Sequence, residues 1–318
     1  ARTMGEAFLR AAEGKALLLP RMLALADLDA EPGAEAAADL PPAIDRLERQ
    51  MVLARLVLSG GARFAATPDQ ALKLADALGG LIDEVEAEGA DFARLAELAP
   101  AEFAAHWQET LQFLAIVTKS WPAILTERGL VDPAARRSAA LAARIATWRR
   151  APPADPVIAA GFAAADPGLA RLLGALARLP GGLLVLPGLD QALEEEAWDK
   201  IEPTHPQHGM KALLERIGAA RGDVRPWPAI DAAEAQARLP RARLLAEALR
   251  PAETTERWRE TPTPGALAGL ARLDCESEGA EADAIALKRR ETLETPGRTA
   301  SLVTADCDLE RRVAAALA

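Results

Sequence analysis

The chain has 318 residues and a formal net charge of −10, with half of its residues hydrophobic and only 4% aromatic. This length allows two or three domains with a substantial core, while the acidic balance argues against a free-standing nucleic-acid coat or a membrane-surface protein. The two cysteines, Cys275 and Cys307, are too few for a disulfide framework and form no Cys-x-x-Cys motif. No apolar run reaches the roughly 18 residues of a membrane span. We therefore expect a cytoplasmic protein that does not interact with a membrane.

The amino-terminal segment predicts a helix followed by a strand. Residues 1–13 have helical spacing of apolar side chains, and Gly14 ends this helix. The run 16–20 predicts a short buried strand, and a loop rich in proline, glycine and acidic residues follows at roughly 29–42. The chain starts inside one helical pattern and stops inside another, at 311–317. We therefore expect a fragment of a longer protein.

Residues 44–150 have a helical pattern almost throughout, with about five helices and no convincing strand. Glycine and proline positions predict the breaks between these helices, at Ser59-Gly60-Gly61, Gly79-Gly80, Gly89, Pro100, Pro122 and Asp132-Pro133. The pattern predicts a helical subdomain inserted into another fold.

The pattern changes after the proline-rich stretch 151–156. Apolar strands at 157–160 and 182–186 flank a helix at 167–178, which predicts a parallel βαβ unit with a right-handed crossover. We expect the strand at 17–19 to join the same sheet, because the helical block returns the chain to one core.

Two helices are predicted beyond this unit, at 207–217 and 231–249, and Gly218 closes the first. The loop 187–191 and the turn that carries His205 follow the second strand. They should lie at the carboxyl end of the sheet, where α/β folds build their sites.

The proline-rich stretch 251–264 predicts a linker with a domain boundary inside it. Strands at 270–273 and 299–303 with a helix at 278–292 between them then predict a second βαβ unit, which the chain leaves incomplete. We expect these strands to belong to a different sheet from the first pair.

The sequence lacks the pattern of a nucleotide site. A phosphate-binding loop needs several glycines before Gly-Lys-Ser/Thr, but the sole Gly-Lys pair, Gly14-Lys15, precedes an alanine and a predicted strand. The strand at 157–160 ends without a carboxylate, and the first one beyond it is Asp166. We expect that this chain does not bind or hydrolyse ATP.

His205 and His208 are spaced so that a helix would bring them near a common metal ion. Pro206 between them favours a loop or a first helical turn instead, where polar groups cap free amides. Capping is the preferred interpretation, with a functional loop contact or a metal site as alternatives. Because a closed site would need further ligands, we expect no stoichiometric zinc or iron.

Other polar and aromatic clusters have ordinary structural interpretations beside functional ones. The run Glu194-Glu195-Glu196 is typical of a solvated first helical turn rather than a metal site. Three tryptophans in the helical block, Trp107, Trp121 and Trp148, are typical of core packing rather than base stacking. A basic helix is either a solvated face or a contact for a phosphate backbone; its arginines are Arg136, Arg137, Arg144, Arg149 and Arg150.

Five stretches, taken in order, resemble AddB, a subunit of the bacterial AddAB helicase–nuclease, in its alphaproteobacterial form. The resemblance extends over essentially the whole chain, and no single stretch is a catalytic signature. The stretches are Leu18-Leu19-Pro20-Arg21; His106-Trp107-Gln108 with Phe113-Leu114 and Trp121-Pro122; Leu186-Pro187-Gly188-Leu189-Asp190; His205-Pro206-Gln207 with Gly209, Lys211 and Leu214; and Ala248-Leu249-Arg250-Pro251-Ala252-Glu253-Thr254-Thr255 with Trp258.

The resemblance implies an α/β, predominantly helical chain with a partial RecA-like (P-loop helicase-like) parallel sheet. Residues 1–43 would begin RecA-like domain 1, 44–150 would form the helical insertion, and 151–255 would complete the domain. Residues 256–318 would be the truncated start of a second RecA-like domain. The resemblance also implies that the ATPase motifs are degraded, which agrees with the lack of an acidic pair at the end of the strand 157–160.

The resemblance also implies a motor-inactive part in DNA double-strand-break repair and recombination. The partner would be an AddA-type helicase–nuclease subunit, which would use ATP and Mg²⁺, and the DNA partners would be double-stranded ends and single strands. No cofactor is expected in this chain, and no catalytic residue. The candidate contacts to DNA or between functional loops are Asp190, His205, Gln207 and Lys211.

Two other functions remain open at this point. One is an active ATP-dependent superfamily 1 DNA helicase whose phosphate loop lies before residue 1. The other is a helical interaction scaffold without a role in nucleic-acid binding. ATP binding separates the first from the AddB-like interpretation, and salt-dependent DNA affinity separates both from the scaffold.

Overall fold

The computed structural model is mainly helical, with a small parallel sheet of two strands in its described part. It divides into two compact units, Ala1–Gln236 with Leu245–Glu260, and Ala237–Leu244 with Thr261–Ala318. A search of the described helices finds none with the length and apolar character that crossing a bilayer requires. The structure describes residues 2–13, 15, 18–24, 40–61, 64–91, 110, 113–227, 232–259 and 265–317.

Helices dominate the described residues before residue 151, as predicted. Polar side chains begin three of them, because Asp45, Thr67 and Asp132 each accept a backbone N–H of the first turn. A π-helical turn, Ile116–Ser120, leads directly into the fourth helix. The helices are α1 (Arg2–Ala11), α2 (Arg46–Ser59), α3 (Pro68–Glu88), α4 (Trp121–Arg128) and α5 (Pro133–Arg150).

Two of the predicted helix breaks are wrong. Helix α3 continues through Gly79 and Gly80, because one face of it is buried against α2 and this burial outweighs the roughly 1 kcal/mol cost of a helical glycine. Pro122 lies in the first turn of α4. The wider π turn before it, in which Trp121 N–H bonds Ile116 O, lets the chain pass the proline without a break. The break predicted at Pro100 lies outside the described residues.

A buried ion pair connects the helices of this block. Arg49 on α2 donates to both carboxylate oxygens of Asp132, at 3.0 and 3.2 Å, and also to Asp83 at 2.9 Å and Gly79 O at 3.2 Å. Asp132 in turn accepts the indole N–H of Trp121 at 3.1 Å and caps α5 through Ala134 N at 3.0 Å. Arg49 and Asp132 are 9% and 4% exposed, so neither charge can be satisfied by solvent.

Replacing Arg49 by methionine should destabilise the first unit strongly, because it leaves a buried carboxylate without its cation. Removing one partner of such a pair costs about 3–5 kcal/mol. The matched control is Glu48→Gln on the same helix, which breaks the exposed pair between Glu48 and Arg128 (2.6 Å) and should cost less than about 1 kcal/mol. Urea unfolding of both variants measures the difference, and equal losses of stability would contradict the assigned role of Arg49.

The predicted parallel βαβ unit is confirmed. Strand β1 (Val157–Ala160) pairs in parallel with β2 (Gly182–Val185), with Val157 opposite Gly182 and Ala160 opposite Val185. Helix α6 (Pro167–Ala177) connects them and buries Leu169, Leu172 and Leu173 in a core shared with later helices. The hand of the crossover stays a prediction.

Three further strands were expected, and none is a strand in the described residues. For 17–19, Leu17 lies outside the description, while Leu18 is 97% exposed and unpaired. The runs 270–273 and 299–303 are irregular, with Leu273 72% and Val303 95% exposed. Each run has the apolar character of a strand, but no strand among the described residues bonds its backbone, and an extended run forms a strand only with such a partner.

The helices predicted at 207–217, 231–249 and 278–292 are confirmed to within one residue at each end, whereas the last helix, predicted at 311–317, begins four residues earlier at Cys307. Two 3₁₀ turns, at Arg221–Asp223 and Ala252–Arg259, lie between these helices. In the second unit the last two helices pack on each other and bury Ala282, Ala286 and Val313. These helices are α7 (Glu195–Asp199), α8 (His208–Ile217), α9 (Ala232–Ala248), α10 (Glu278–Leu293) and α11 (Cys307–Leu317).

Candidate functional site

Three segments meet at the carboxyl edge of the sheet, and we call them together the carboxyl-edge cluster. They are the loop 161–166 after β1, the loop 186–194 after β2, and the turn 202–209 that begins α8. Gly161 and Gly188 adopt positive φ angles of 91° and 67°, which glycine tolerates without strain. A Cβ on Gly209 would lie 2.7 Å from the Cβ of Ala164, so glycine lets α8 approach the first loop closely.

Gln207 joins the second loop to α8 through two hydrogen bonds. Its Oε1 accepts the backbone N–H of Asp190 at 3.0 Å, and its Nε2 donates to the carbonyl of Gly188 at 2.9 Å. Both ends of one amide are therefore used, which fixes the loop after β2 relative to the helix. An amide is suited to this task because it supplies a donor and an acceptor side by side.

Asp190 shapes the loop from within. Its Oδ1 accepts the backbone N–H groups of Ala192 and Leu193, at 2.8 and 2.9 Å. This local turn directs the chain toward α7. The carboxylate of Asp190 acts here as a structural acceptor.

His205 is held by the backbone at both ring nitrogens. Its Nδ1 accepts the N–H of Gln207 at 3.0 Å, so Nε2 carries the proton and donates to Leu249 O at 2.6 Å. His208 has a buried Nδ1 without a partner among the described residues. With both nitrogens of His205 engaged, the two histidines do not form a shared metal site, and no group of three or more His, Cys, Asp or Glu that could hold a metal occurs in the described part of the chain.

Lys211 binds the carboxyl end of helix α7. Its Nζ donates to the carbonyls of Trp198 and Asp199, at 3.1 and 2.7 Å, and these lie in the last turn of α7. A cation at a helix carboxyl terminus satisfies free carbonyls and complements the helix dipole. The side chains of Asp190, Gln207 and Lys211 therefore all bond to backbone atoms of the segment 188–199.

Two arginines in this region were missed by the sequence analysis. Arg221 donates to Leu193 O at 2.6 Å and lies over the ring of Trp198, 4.8 Å from its centroid. Arg250, 6% exposed, pairs with Glu194 at 3.2 Å and with Glu247 at 2.7 Å. The Arg250–Glu194 pair spans 56 positions and the Arg221–Leu193 bond spans 28, so no local pattern indicates these two contacts.

The acidic run before α7 was expected to be a solvated first helical turn, and this is confirmed, because the side chains of Glu194, Glu195 and Glu196 are 42%, 71% and 82% exposed. Glu194, Glu195 and Glu196 do form the first turn of the helix, but each has a basic partner. Glu194 pairs with a buried arginine, and Glu195 pairs with Arg221 at 2.5 Å. These ion pairs join the start of α7 to the residues around it.

The carboxylate nearest the end of β1 is also used structurally. Asp166 Oδ1 accepts Leu169 N at 2.8 Å and caps α6, and Oδ2 lies 3.8 Å from Arg137 Nη2. An acid that holds Mg²⁺ in a motor normally ends the strand itself and projects from it. Here the strand ends in alanine, glycine and phenylalanine, and the acid begins the next helix.

A cleft of about 290 Å³ opens beside His205. Its charged lining mixes signs, with Lys200, Glu202, Arg250 and Glu253, and Lys200 lies 3.6 Å from Glu253. The lining holds no paired nucleophile and base, and its one histidine is bonded to backbone at both nitrogens.

The described residues are mainly helical, and the first unit contains a small parallel sheet whose loops at one edge are fixed by side-chain-to-backbone bonds. No protein-family model, curated protein or solved structure matches the chain.

Changing Gln207 to glutamate should loosen the loop after β2. The carboxylate still accepts Asp190 N–H, but its second oxygen faces the carbonyl of Gly188, now acceptor against acceptor. We expect a loss of about 1–3 kcal/mol in stability and faster amide hydrogen exchange across 187–191. Gln50→Glu on α2 introduces the same charge away from the loop and should leave this exchange unchanged; the same rate in both variants would contradict the assignment.

Proposed function

We propose that the chain is part of a helicase-like, motor-inactive subunit of a DNA double-strand-break repair helicase–nuclease of the AddB type. In this proposal it works in DNA-end processing as a scaffold that contacts DNA. Its partner is an AddA-type subunit that carries ATP, Mg²⁺ and the motor, in the cytoplasm.

One observation carries the proposal. Three of the five stretches that resemble AddB are separate in sequence but bond to one another at or beside the carboxyl-edge cluster. Gln207 binds the 186–190 stretch at Gly188 and Asp190, and His205 binds the 248–255 stretch at Leu249. Residues that share a resemblance and also share one structural unit support a common architecture rather than chance similarity of separate segments.

The parallel unit supports a RecA-like interpretation of the sheet. Such folds place functional loops at the carboxyl ends of parallel strands, and the described loops after β1 and β2 lie at that edge. The use of Asp166 as a helix cap supports the motor-inactive part of the proposal, because the nearest acid has a structural task. A second compact unit, formed by Thr261–Ala318 with Ala237–Leu244, is compatible with the start of a second domain.

The test measures DNA and nucleotide binding by the full chain. A fluorescent DNA duplex with a single-stranded tail should bind, and log K should fall linearly with log salt between about 50 and 200 mM, since phosphate contacts release counterions. Calorimetric titration with Mg-ATP should give no binding tighter than about 100 μM, which is some 5.5 kcal/mol.

The two results discriminate the competing functions. ATP binding below that limit would instead indicate an active motor. An absence of salt-dependent DNA affinity would contradict the proposed DNA contact and leave an interaction scaffold.

A further inference from the structure

A groove of about 650 Å³ lies between α5, α6 and the end of α8, all within the first unit. Four arginines line it, namely Arg149, Arg171, Arg178 and Arg216, and no carboxylate belongs to its lining. This concentration of positive charge occurs in a chain whose net charge is −10. The groove is therefore suited to an anionic ligand.

The arginines differ in how much of their charge is already compensated. Arg216 pairs with Glu88 at 3.1 Å. Arg178 donates to Gly174 O at 2.9 Å and Ile217 O at 2.7 Å, and these neutral carbonyls orient the guanidinium while leaving its charge in place. Arg178 thus caps the ends of α6 and α8, and these bonds also hold its positive charge at the groove.

Arg149 and Arg171 are the two cations that are open to a ligand. Both are exposed, on the last turn of α5 and the first half of α6. The side chain of Arg171 makes one weak bond, from Nε to Pro167 O at 3.3 Å, and the guanidinium of Arg149 makes no hydrogen bond or ion pair with the described residues. Neither is neutralised by a carboxylate, so both can bind phosphate groups.

An apolar floor accompanies the charge. Leu141, Ile145 and Trp148 lie on the α5 side of the groove, and Trp148 is half-buried with its remaining surface at the lining. A tryptophan beside exposed arginines is the combination that single-stranded nucleic acids use, with bases stacked on aromatic rings and phosphates on cations. The paired bases of a duplex would not be available for such stacking.

We propose that this groove binds a segment of single-stranded DNA, with its phosphates on Arg149 and Arg171 and one base on Trp148. The inference deepens the proposed function and rests on its DNA role. From Ser138 to Arg149 the groove follows eleven helical rises of about 1.5 Å, or about 16 Å in all, which is long enough for a short segment of a few nucleotides.

The test compares the full chain with the double variant Arg149→Ala/Arg171→Ala on a fluorescent oligothymidine. Each lost phosphate contact reduces the slope of log K against log salt by about 0.7, so the double variant should lose about 1.4 in slope and roughly 20-fold in affinity near 100 mM salt. Each single variant should lose about half of that slope change.

The matched control is Arg46→Ala/Arg55→Ala, which removes two exposed arginines of α2 in the same unit and away from the groove. It should keep the wild-type slope. Circular dichroism melting confirms that each variant is folded, and the single variants give a second measurement if the double variant is not.

Trp148→Leu separates stacking from charge. It should weaken oligothymidine binding by about fivefold or more without changing the salt slope, whereas Trp148→Phe should retain most of the affinity. Duplex DNA of equal length should bind less tightly than the single strand; equal binding would overturn the single-strand assignment.

The outcomes also separate this inference from the function on which it rests. If the wild-type chain binds oligothymidine and the groove variant behaves like the control, the groove is not the site and the proposed DNA role stands. If the wild-type chain does not bind DNA at 50 mM salt, the DNA role itself fails together with the groove assignment.

Discussion

The buried pair between Arg49 and Asp132 determines how helices α2, α3, α4 and α5 of the first unit are arranged. Asp132 fixes the start of α5 as its cap, while Arg49 joins it to α2 and α3, and Trp121 adds α4. Water cannot replace either partner of a pair that is this deeply buried, so the pair holds these helices in one arrangement. Because α5 also packs on α6, the same pair sets where the basic carboxyl-terminal part of α5 lies beside the βαβ unit.

Polar residues at the carboxyl edge of the sheet are used to hold backbone. Gln207 and Asp190 bond to main-chain atoms of the loop after β2 and fix its shape. His205 bonds to the carbonyl of Leu249, and Lys211 bonds to carbonyls at the end of α7. They are positioning residues. A rigid platform of this kind suits a subunit that presents surfaces to DNA and to a motor partner, which is the role proposed for it. The cations best placed for phosphate lie elsewhere, in the groove beside α5.

How far the sequence predicts this structure depends on the range of the interactions involved. The boundaries of β1, α6 and β2 were predicted almost to the residue, because apolar runs, proline and a capping aspartate mark them locally. Strands at 270–273 and 299–303 were predicted wrongly, since an apolar run indicates a strand only where a partner strand is present. The Arg49–Asp132 contact spans 83 positions and the groove joins three helices, so neither is visible in any local pattern. The sequence identified Arg149 as part of a basic helix. The fold was needed to show that Arg137 on that helix pairs with Asp166, whereas Arg149 lines the groove.

Photo-crosslinking tests the central claim, that this chain holds a single DNA strand, most directly. The full chain would be irradiated with a single-stranded oligonucleotide in which bromodeoxyuridine replaces thymidine, and the crosslinked peptides identified by mass spectrometry. The account predicts that crosslinks concentrate on α5 around Trp148 and on the facing part of α6. Crosslinks confined to other surfaces, or none at a salt concentration where DNA binds, would contradict it.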